Sequence, residues 1–275
     1  MNQASFQGLE PASDHDLDKV REAIAAASSR GRFTHIAVPP IGDALLVKIG
    51  PHSLYLSDAY ALRPGLGFFD AEVMDPPYRF NNSGGGAYRK ARGASDQIVA
   101  EKLDQGFDIS IINPLRAGAV VVFCHNDQLP ELLTYVTGRF RRSCLLSWIK
   151  KNPSPMRNKH YLADVEPFIH AWNPGFHPVG EHHDLHRWIM AGTMPAKVFG
   201  HATVKPAEVM SKIVRALSGR TVIDPFMGTG STGVAAIGAG RVFTGIEKNP
   251  KHFATAVARI TAAYEAALAE SPAHV

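Results

Sequence analysis

An α/β layer fold with a largely parallel sheet is what this sequence predicts, and three observations predict it. Gly118 leads into residues 119–123, a continuous run of small, β-branched and apolar side chains of the kind a strand buried on both faces needs. Near the C-terminal end, a short strand at Thr221–Asp224, a turn holding Gly228 and Gly230, a helix of small residues through Ala239 and a second strand ending at Glu247 follow one another as a β-loop-α-β-α unit. Composition permits such a fold: 275 residues at 45% apolar and 20% charged describe one soluble globular domain, or one domain with a small insert, and exclude wholesale disorder.

Taken in order, residues 1–13 are small and polar. Asp14 and Asp16 then precede Leu17, Val20 and Ile24, whose spacing predicts an added N-terminal helix with acids at its positive end. Residues 44–49 and 53–57 are short apolar segments. Phe69–Met74 is a strand that Pro76 and Pro77 must end, because neither can donate to a ladder. Residues 79–93 carry Arg79, Arg89, Lys90 and Arg92 around a Gly-rich centre with no acid, which suits a solvated linker or a loop that meets a polyanion. Residues 139–159 hold seven basic side chains and no acidic one, with Trp148 among them. Arg141, Arg142, Lys150, Lys151, Arg157 and Lys159 there are candidates for tracking phosphates, the alternative being a strand with one solvated basic face. Farther on, Val209, Met210, Ile213, Val214 and Leu217 define a helix opened by Pro206. Asn249 can cap, and Pro250 open, a last helix with Phe253, Val257, Ile260, Tyr264 and Leu268 on its apolar face.

Charge and cysteine usage narrow the setting. Twenty-nine Lys plus Arg against 25 Asp plus Glu give only +4, so any affinity for a polyanion depends on where the charges sit. Cys124 and Cys144 are too few for a disulfide framework and lack CxxC spacing, which fits a reducing cytoplasm. No apolar run approaches the roughly 18 residues that span a bilayer, and the first ten residues lack a signal pattern, so a cytoplasmic chain without a membrane partner is expected. Six of the 13 histidines, His160, His170, His177, His182, His183 and His186, crowd one stretch. His182 and His186 could share a helix face, yet no third ligand is recognisable and no metal site is expected.

Two constellations carry chemistry. A glycine turn between strand and helix lets a ligand approach backbone N–H groups, and an acid ending the next strand can accept from ribose hydroxyls. Here these are Gly228–Gly230 and Glu247, 17 residues beyond Gly230, an adenosine-binding pattern that ordinary strand–helix packing also produces. The second is Asp75-Pro76-Pro77-Tyr78. If the substrate is an exocyclic amine on a planar ring, Asp75 can accept one N–H, the Pro76 carbonyl the other, and Tyr78 can stack on the ring. Strand ends also carry such turns without chemistry.

Together these segments resemble the S-adenosylmethionine-dependent DNA amino-methyltransferases. Asp75–Tyr78 matches their (D/N/S)PP(Y/F/W) motif and Phe226–Gly230 their FxGxG core, while His201–Pro206 looks like their H-x-T-x-KP segment and Lys150–Pro155 like their KxNPxP segment. The catalytic motif precedes the cofactor loop, the permuted order of the family's β-group. The resemblance implies a Rossmann-like α/β methyltransferase fold in permuted order, with S-adenosylmethionine as cofactor and double-stranded DNA as partner. It implies that Asp224, Phe226, Gly228 and Gly230 line the cofactor pocket, that Glu247 holds the ribose, that Thr203 and Lys205 sit near the methionine moiety, and that Asp58 meets the adenine. It further implies an N-terminal extension (1–43), a catalytic half (44–155), a small target-recognition insert (156–200), a cofactor half (201–275) and a homodimer. A restriction endonuclease partner is not specified by these residues.

Asp at position 75 is the family's usual adenine form, so N6-adenine is expected, with N4-cytosine as the alternative. Neither cysteine follows a proline, as a cytosine-C5 nucleophile would. Outside the family, a dinucleotide-binding Rossmann protein or a DNA-binding regulator without methyl transfer would also suit the glycine turn.

Overall fold

The computed structural model describes residues 44–79, 105–153, 161–193 and 204–270, with strand residues His35–Ile36 and helical positions Asp18, Glu22 and Ala25. Those three helical positions fall within the expected N-terminal helix and are exposed; Leu17, Val20 and Ile24 lie outside the described residues.

Ten described strands form one sheet: β1 His35–Ile36, β2 Leu45–Ile49, β3 His52–Leu56, β4 Phe69–Met74, β5 Ala117–Phe123, β6 Arg142–Lys150, β7 Val165–Trp172, β8 Trp188–Ala191, β9 Thr221–Asp224 and β10 Val242–Glu247. Their order across the sheet is β1-β2-β3-β10-β9-β4-β5-β7-β6-β8. The centre, β3-β10-β9-β4-β5, is parallel, and β7 then runs antiparallel to both β5 and β6. Every residue of β5 is buried, as its unbroken apolar run requires.

Side chains alternate between two apolar layers. Ala119, Val121 and Phe123 face one layer with α3 (Ala207–Arg215), α4 (Ser231–Gly238) and α5 (Pro250–Glu270), through Val214, Ala236, Phe253, Val257 and Ile260. Val120, Val122 and Cys124 face the other, with Leu62 of α1 (Ala59–Leu62) and Leu132 and Val136 of α2 (Leu129–Thr137). Burying one such Val, Leu or Phe stabilises by roughly 1.5–3 kcal/mol. Asn249 caps α5 by accepting from the Lys251 and His252 amides. Leu268, expected on the buried face of that helix, is 40% exposed.

The direction in which successive strands are added across the sheet reverses between β9 and β4. From β9 the chain moves outward to β10, and from β4 it moves the other way to β5, so the C-terminal ends of β4, β9, β10 and β3 open on a crevice at one sheet edge. Residues Asp75, Asp224, Glu247 and Asp58 end or follow those strands.

Within the 156–200 stretch, β7 carries buried Phe168, Ile169, His170 and Ala171 between β5 and β6. The described basic residues of 139–151 are spread out. They run the length of β6, and nine strand residues at about 3.3 Å each put Arg141 and Arg142 roughly 25 Å from Lys150, at the opposite sheet edge. His182 and His186 share no helix face; they lie in a turn, with ring centroids 6.3 Å apart. Among the described residues, no helix is long and apolar enough to cross a membrane, and no group of three or more His, Cys, Asp or Glu could hold a metal ion.

Candidate active site

The turn after β9 is built by its own carboxylates. Asp224 is buried; its Oδ1 accepts the Phe226 amide at 2.9 Å and its Oδ2 the Thr232 hydroxyl at 2.5 Å. It therefore braces the turn. Burial, with Asp75 and Glu247 nearby, pushes its carboxyl up to about 7 against the pull of those hydrogen bonds. The chain then passes through left-handed conformations at Gly228 (φ 51°) and Gly230 (φ 86°). Above Gly228 the space is open, with no atom within 4 Å of where a Cβ would sit, whereas a Cβ at Gly230 would press on Ile260 and Ala256 of α5. From α5, Arg259 Nη1 donates to the Thr229 carbonyl at 2.7 Å and to its hydroxyl at 2.9 Å, a brace that no sequence signal marks.

Glu247 closes the other side. Its Oε2 accepts the Gly228 amide at 2.9 Å and its Oε1 the Asn249 amide at 2.7 Å, and burial raises its carboxyl above the ordinary value. Its carbonyl also receives the Ser57 amide, which brings Asp58 to the same edge. Asp58 caps α1 through the Tyr60 amide at 2.8 Å. Phe226 meets Tyr60 and Phe107 edge-on, at 6.0 and 6.2 Å between centroids, so an aromatic corner stands there that spacing alone did not announce.

At the end of β4 the Asp75–Tyr78 segment leaves the sheet as the prolines require, and the Tyr78 carbonyl receives the Gly106 amide. The Tyr78 hydroxyl lies 2.7 Å from Asp75 Oδ1 and 2.8 Å from Glu166 Oε1. Asp75 Oδ2 accepts from Lys205 Nζ at 2.5 Å, and the same ammonium lies 2.9 Å from Glu166 Oε1. Lys150 Nζ completes the group, 2.9 Å from Glu166 Oε2. Burial acts to raise the Glu166 carboxyl, but the charges of Lys205 and Lys150 outweigh it and hold it at about 2. Burial and the two neighbouring carboxylates push the Tyr78 hydroxyl well above its ordinary value, so it stays protonated.

Lys205 and Lys150 thus meet at Glu166. Both are committed to acids beside Asp75, and Lys205 also lies 5.5 Å from the Tyr78 ring centroid and 4.9 Å from that of Phe123. Glu166 was not legible in the sequence, where it is one acid at the start of an apolar strand. Among the other candidates, Lys151 is exposed at the catalytic edge, and Arg79 is exposed and pairs with Glu131 at 2.8 Å. Thr203, Arg89, Lys90, Arg92, Arg157 and Lys159 lie outside the described residues.

A family model described as DNA methylase matches residues 69–258. The DNA adenine methyltransferase YhdJ of Escherichia coli (strain K12) is 40% identical over 65 residues, 23% of this chain and 22% of YhdJ, so the match spans about a fifth of that relative's length. The crystal structure of the M1.HpyAVI-SAM complex superposes with a TM-score of 0.55 at 22% identity, covering 75% of this chain and 98% of that one. PvuII DNA methyltransferase (cytosine-N4-specific) superposes at 0.54 and 15% identity, covering 79% and 93%. The fold is the Rossmann-like α/β fold of these methyltransferases, with the strands in permuted order.

Proposed function

The chain belongs to the DNA methylase family, and from that premise we propose that it transfers the methyl group of S-adenosylmethionine to the exocyclic N6 of an adenine turned out of duplex DNA. The observation that carries this reading is the placement of Asp75–Tyr78, at the end of β4, beside the Gly228–Gly230 turn that follows β9 across the switch point.

The residues fit the cofactor. Open space over Gly228 at the mouth of α4 admits a ligand to backbone N–H groups, and each Glu247 oxygen keeps a lone pair for a ribose hydroxyl. Asp58 and the corner of Phe226, Tyr60 and Phe107 would seat the adenine, with Asp224 holding the turn in shape. S-adenosylmethionine supplies a methyl already activated on sulfur, so no covalent protein nucleophile is called for.

What remains for the chain is positioning and proton handling. Asp75 accepts one N–H of the target amine, the Pro76 carbonyl the other, and this aims the nitrogen lone pair at the cofactor side of the crevice. The nitrogen sheds one proton on methylation, and the Asp75 carboxylate stands at the atom that loses it. Lys205 keeps that carboxylate in place from the β7 side. Lys151, with Arg79 and the basic residues of 80–93 and 157–159, offsets the few kcal/mol that unstacking a base costs. A homodimer on double-stranded DNA is part of this reading.

Adenine is favoured by Asp75 and by the likeness to YhdJ, an adenine methyltransferase. N4-cytosine is the second reading, favoured by the fold shared with a cytosine-N4-specific enzyme. A dinucleotide-binding protein or a regulator without methyl transfer would leave the linked group of Asp75, Tyr78, Lys205 and Glu166 without a task. The test is incubation with S-adenosylmethionine and unmethylated duplex DNA, digestion to nucleosides and mass spectrometry, with Asp75→Ala alongside. N6-methyladenine that disappears in the variant is the expected result. N4-methylcytosine alone would replace adenine by cytosine, and no methylated base despite cofactor binding would sink the reading.

A further inference from the structure

Both oxygens of Asp75 are already engaged: Oδ1 by the Tyr78 hydroxyl at 2.7 Å and Oδ2 by Lys205 Nζ at 2.5 Å. An exocyclic amine reaching Asp75 must take over one of these places, and a displaced donor left unpaired in this buried setting would be costly. Glu166 resolves the difficulty. Its Oε1 lies 2.8 Å from the same hydroxyl and 2.9 Å from the same ammonium, and the side chain is only 12% exposed. The Tyr78 hydroxyl has one proton, so it donates to Asp75 or to Glu166 at any moment, and both acceptors are in reach without movement of the ring. Lys150 on Oε2 keeps Glu166 charged and oriented.

We infer that Glu166 is a positioning residue, the second seat for the Tyr78 hydroxyl and the Lys205 ammonium, which lets Asp75 release them and accept the N–H of the incoming amine. No bond to carbon forms or breaks in this exchange; one hydroxyl proton and one ammonium redirect from one carboxylate to the other. The inference rests on the methyl-transfer reading for its purpose, but the two-seat arrangement can be tested without turnover.

The first test uses the free protein. Side-chain ammonium NMR follows solvent exchange of the Lys205 Nζ protons in the wild type, Asp75→Ala, Glu166→Gln and the Asp75→Ala/Glu166→Gln double variant, with circular dichroism as the check on folding. Protection should persist in Asp75→Ala, because Glu166 takes the donor, and be lost in the double variant. Loss in Asp75→Ala alone overturns the inference, and this holds even if the chain methylates no DNA, the result that would sink only the preceding reading.

The second test is single-turnover methylation with Glu166→Gln placed in the wild type and in the Tyr78→Phe background. In the wild type the substitution should slow transfer by about 10- to 100-fold, the scale of a hydrogen bond to a charged group, with cofactor affinity unchanged. In the Tyr78→Phe background the loss should shrink several-fold, since one donor no longer needs a seat. Equal losses in both backgrounds, as a merely structural role predicts, would overturn the inference.

Discussion

The Glu247 carboxylate reaches from the end of β10 to the turn after β9, where its Oε2 accepts the Gly228 amide at 2.9 Å. Glu247 therefore shapes the turn, and under the proposed function it also presents oxygens to a ribose. Glu247→Gln keeps one acceptor but sets an NH2 group against a backbone N–H. Isothermal titration with S-adenosylmethionine should show affinity reduced by about 10- to 100-fold, with little loss of folding. Undiminished affinity would move the ribose site away from β10.

Asp75→Ala separates the two halves of the crevice. Asp75 touches Tyr78 and Lys205 but no part of the Gly228 turn, so cofactor affinity should stay within about twofold while methyl transfer falls by at least about a hundredfold. Turnover near the wild-type rate would remove Asp75 from the chemistry.

These two predictions rest on segments that were legible because their signals are local. A Pro-Pro pair ends β4 by itself, a Gly-x-Gly turn marks the β9–α4 junction by itself, and the apolar run of β5 declares a doubly buried strand. Glu166 and Arg259 carry no such mark. Each acquires its partners only through long-range pairing, Glu166 opposite Trp148 in the antiparallel β6–β7 ladder and Arg259 across the packing of α5 on the turn. The described basic residues of 139–151 part company for the same reason: charge proximity in sequence says nothing of which sheet edge each residue reaches. Lys150 went to Glu166, while Arg142 pairs in register with Trp172 at the far end of β7.

Stability should fall in mild acid. Burial lowers His52 and His170 from 6.5 to about 4, and His52 must stay neutral because its Nδ1 accepts the Phe243 amide at 3.1 Å. The folded chain binds these protons less tightly than the unfolded chain, so the contribution is complete above pH 6.5 and is lost as pH drops toward 4. Each histidine accounts for roughly 3 kcal/mol across that window. Asp224 acts in the opposite sense: its raised carboxyl, at about 7, favours the folded state below about pH 4 and loses that advantage as pH climbs to 7. Urea melts at pH 4, 5.5, 7 and 8 should show the acid loss, smaller in His170→Gln. Asp224→Asn should gain on the wild type progressively from pH 4 to 7, and a constant gap between them would contradict the raised carboxyl.

The two glycines of the cofactor turn should fail differently when substituted. Both have positive φ, so any side chain costs about 1–2 kcal/mol in backbone strain. At Gly228 nothing else opposes a Cβ, because the space above it is open. Gly228→Val should therefore fold with a modestly lowered melting temperature yet lose S-adenosylmethionine binding, its branched side chain standing where the ligand must meet the backbone. At Gly230 a Cβ would lie 3.1 Å from Ile260 Cδ1 and 3.2 Å from Ala256 Cα, and that backbone cannot withdraw without shifting α5. Gly230→Val should lose several kcal/mol of stability, beyond the strain alone, as overpacking adds about 1–3 kcal/mol. Calorimetric melts of the ligand-free variants set beside titration of the cofactor distinguish the two failures. If Gly228→Val bound the cofactor normally, the open space over residue 228 would not be its site, whatever the variant's stability.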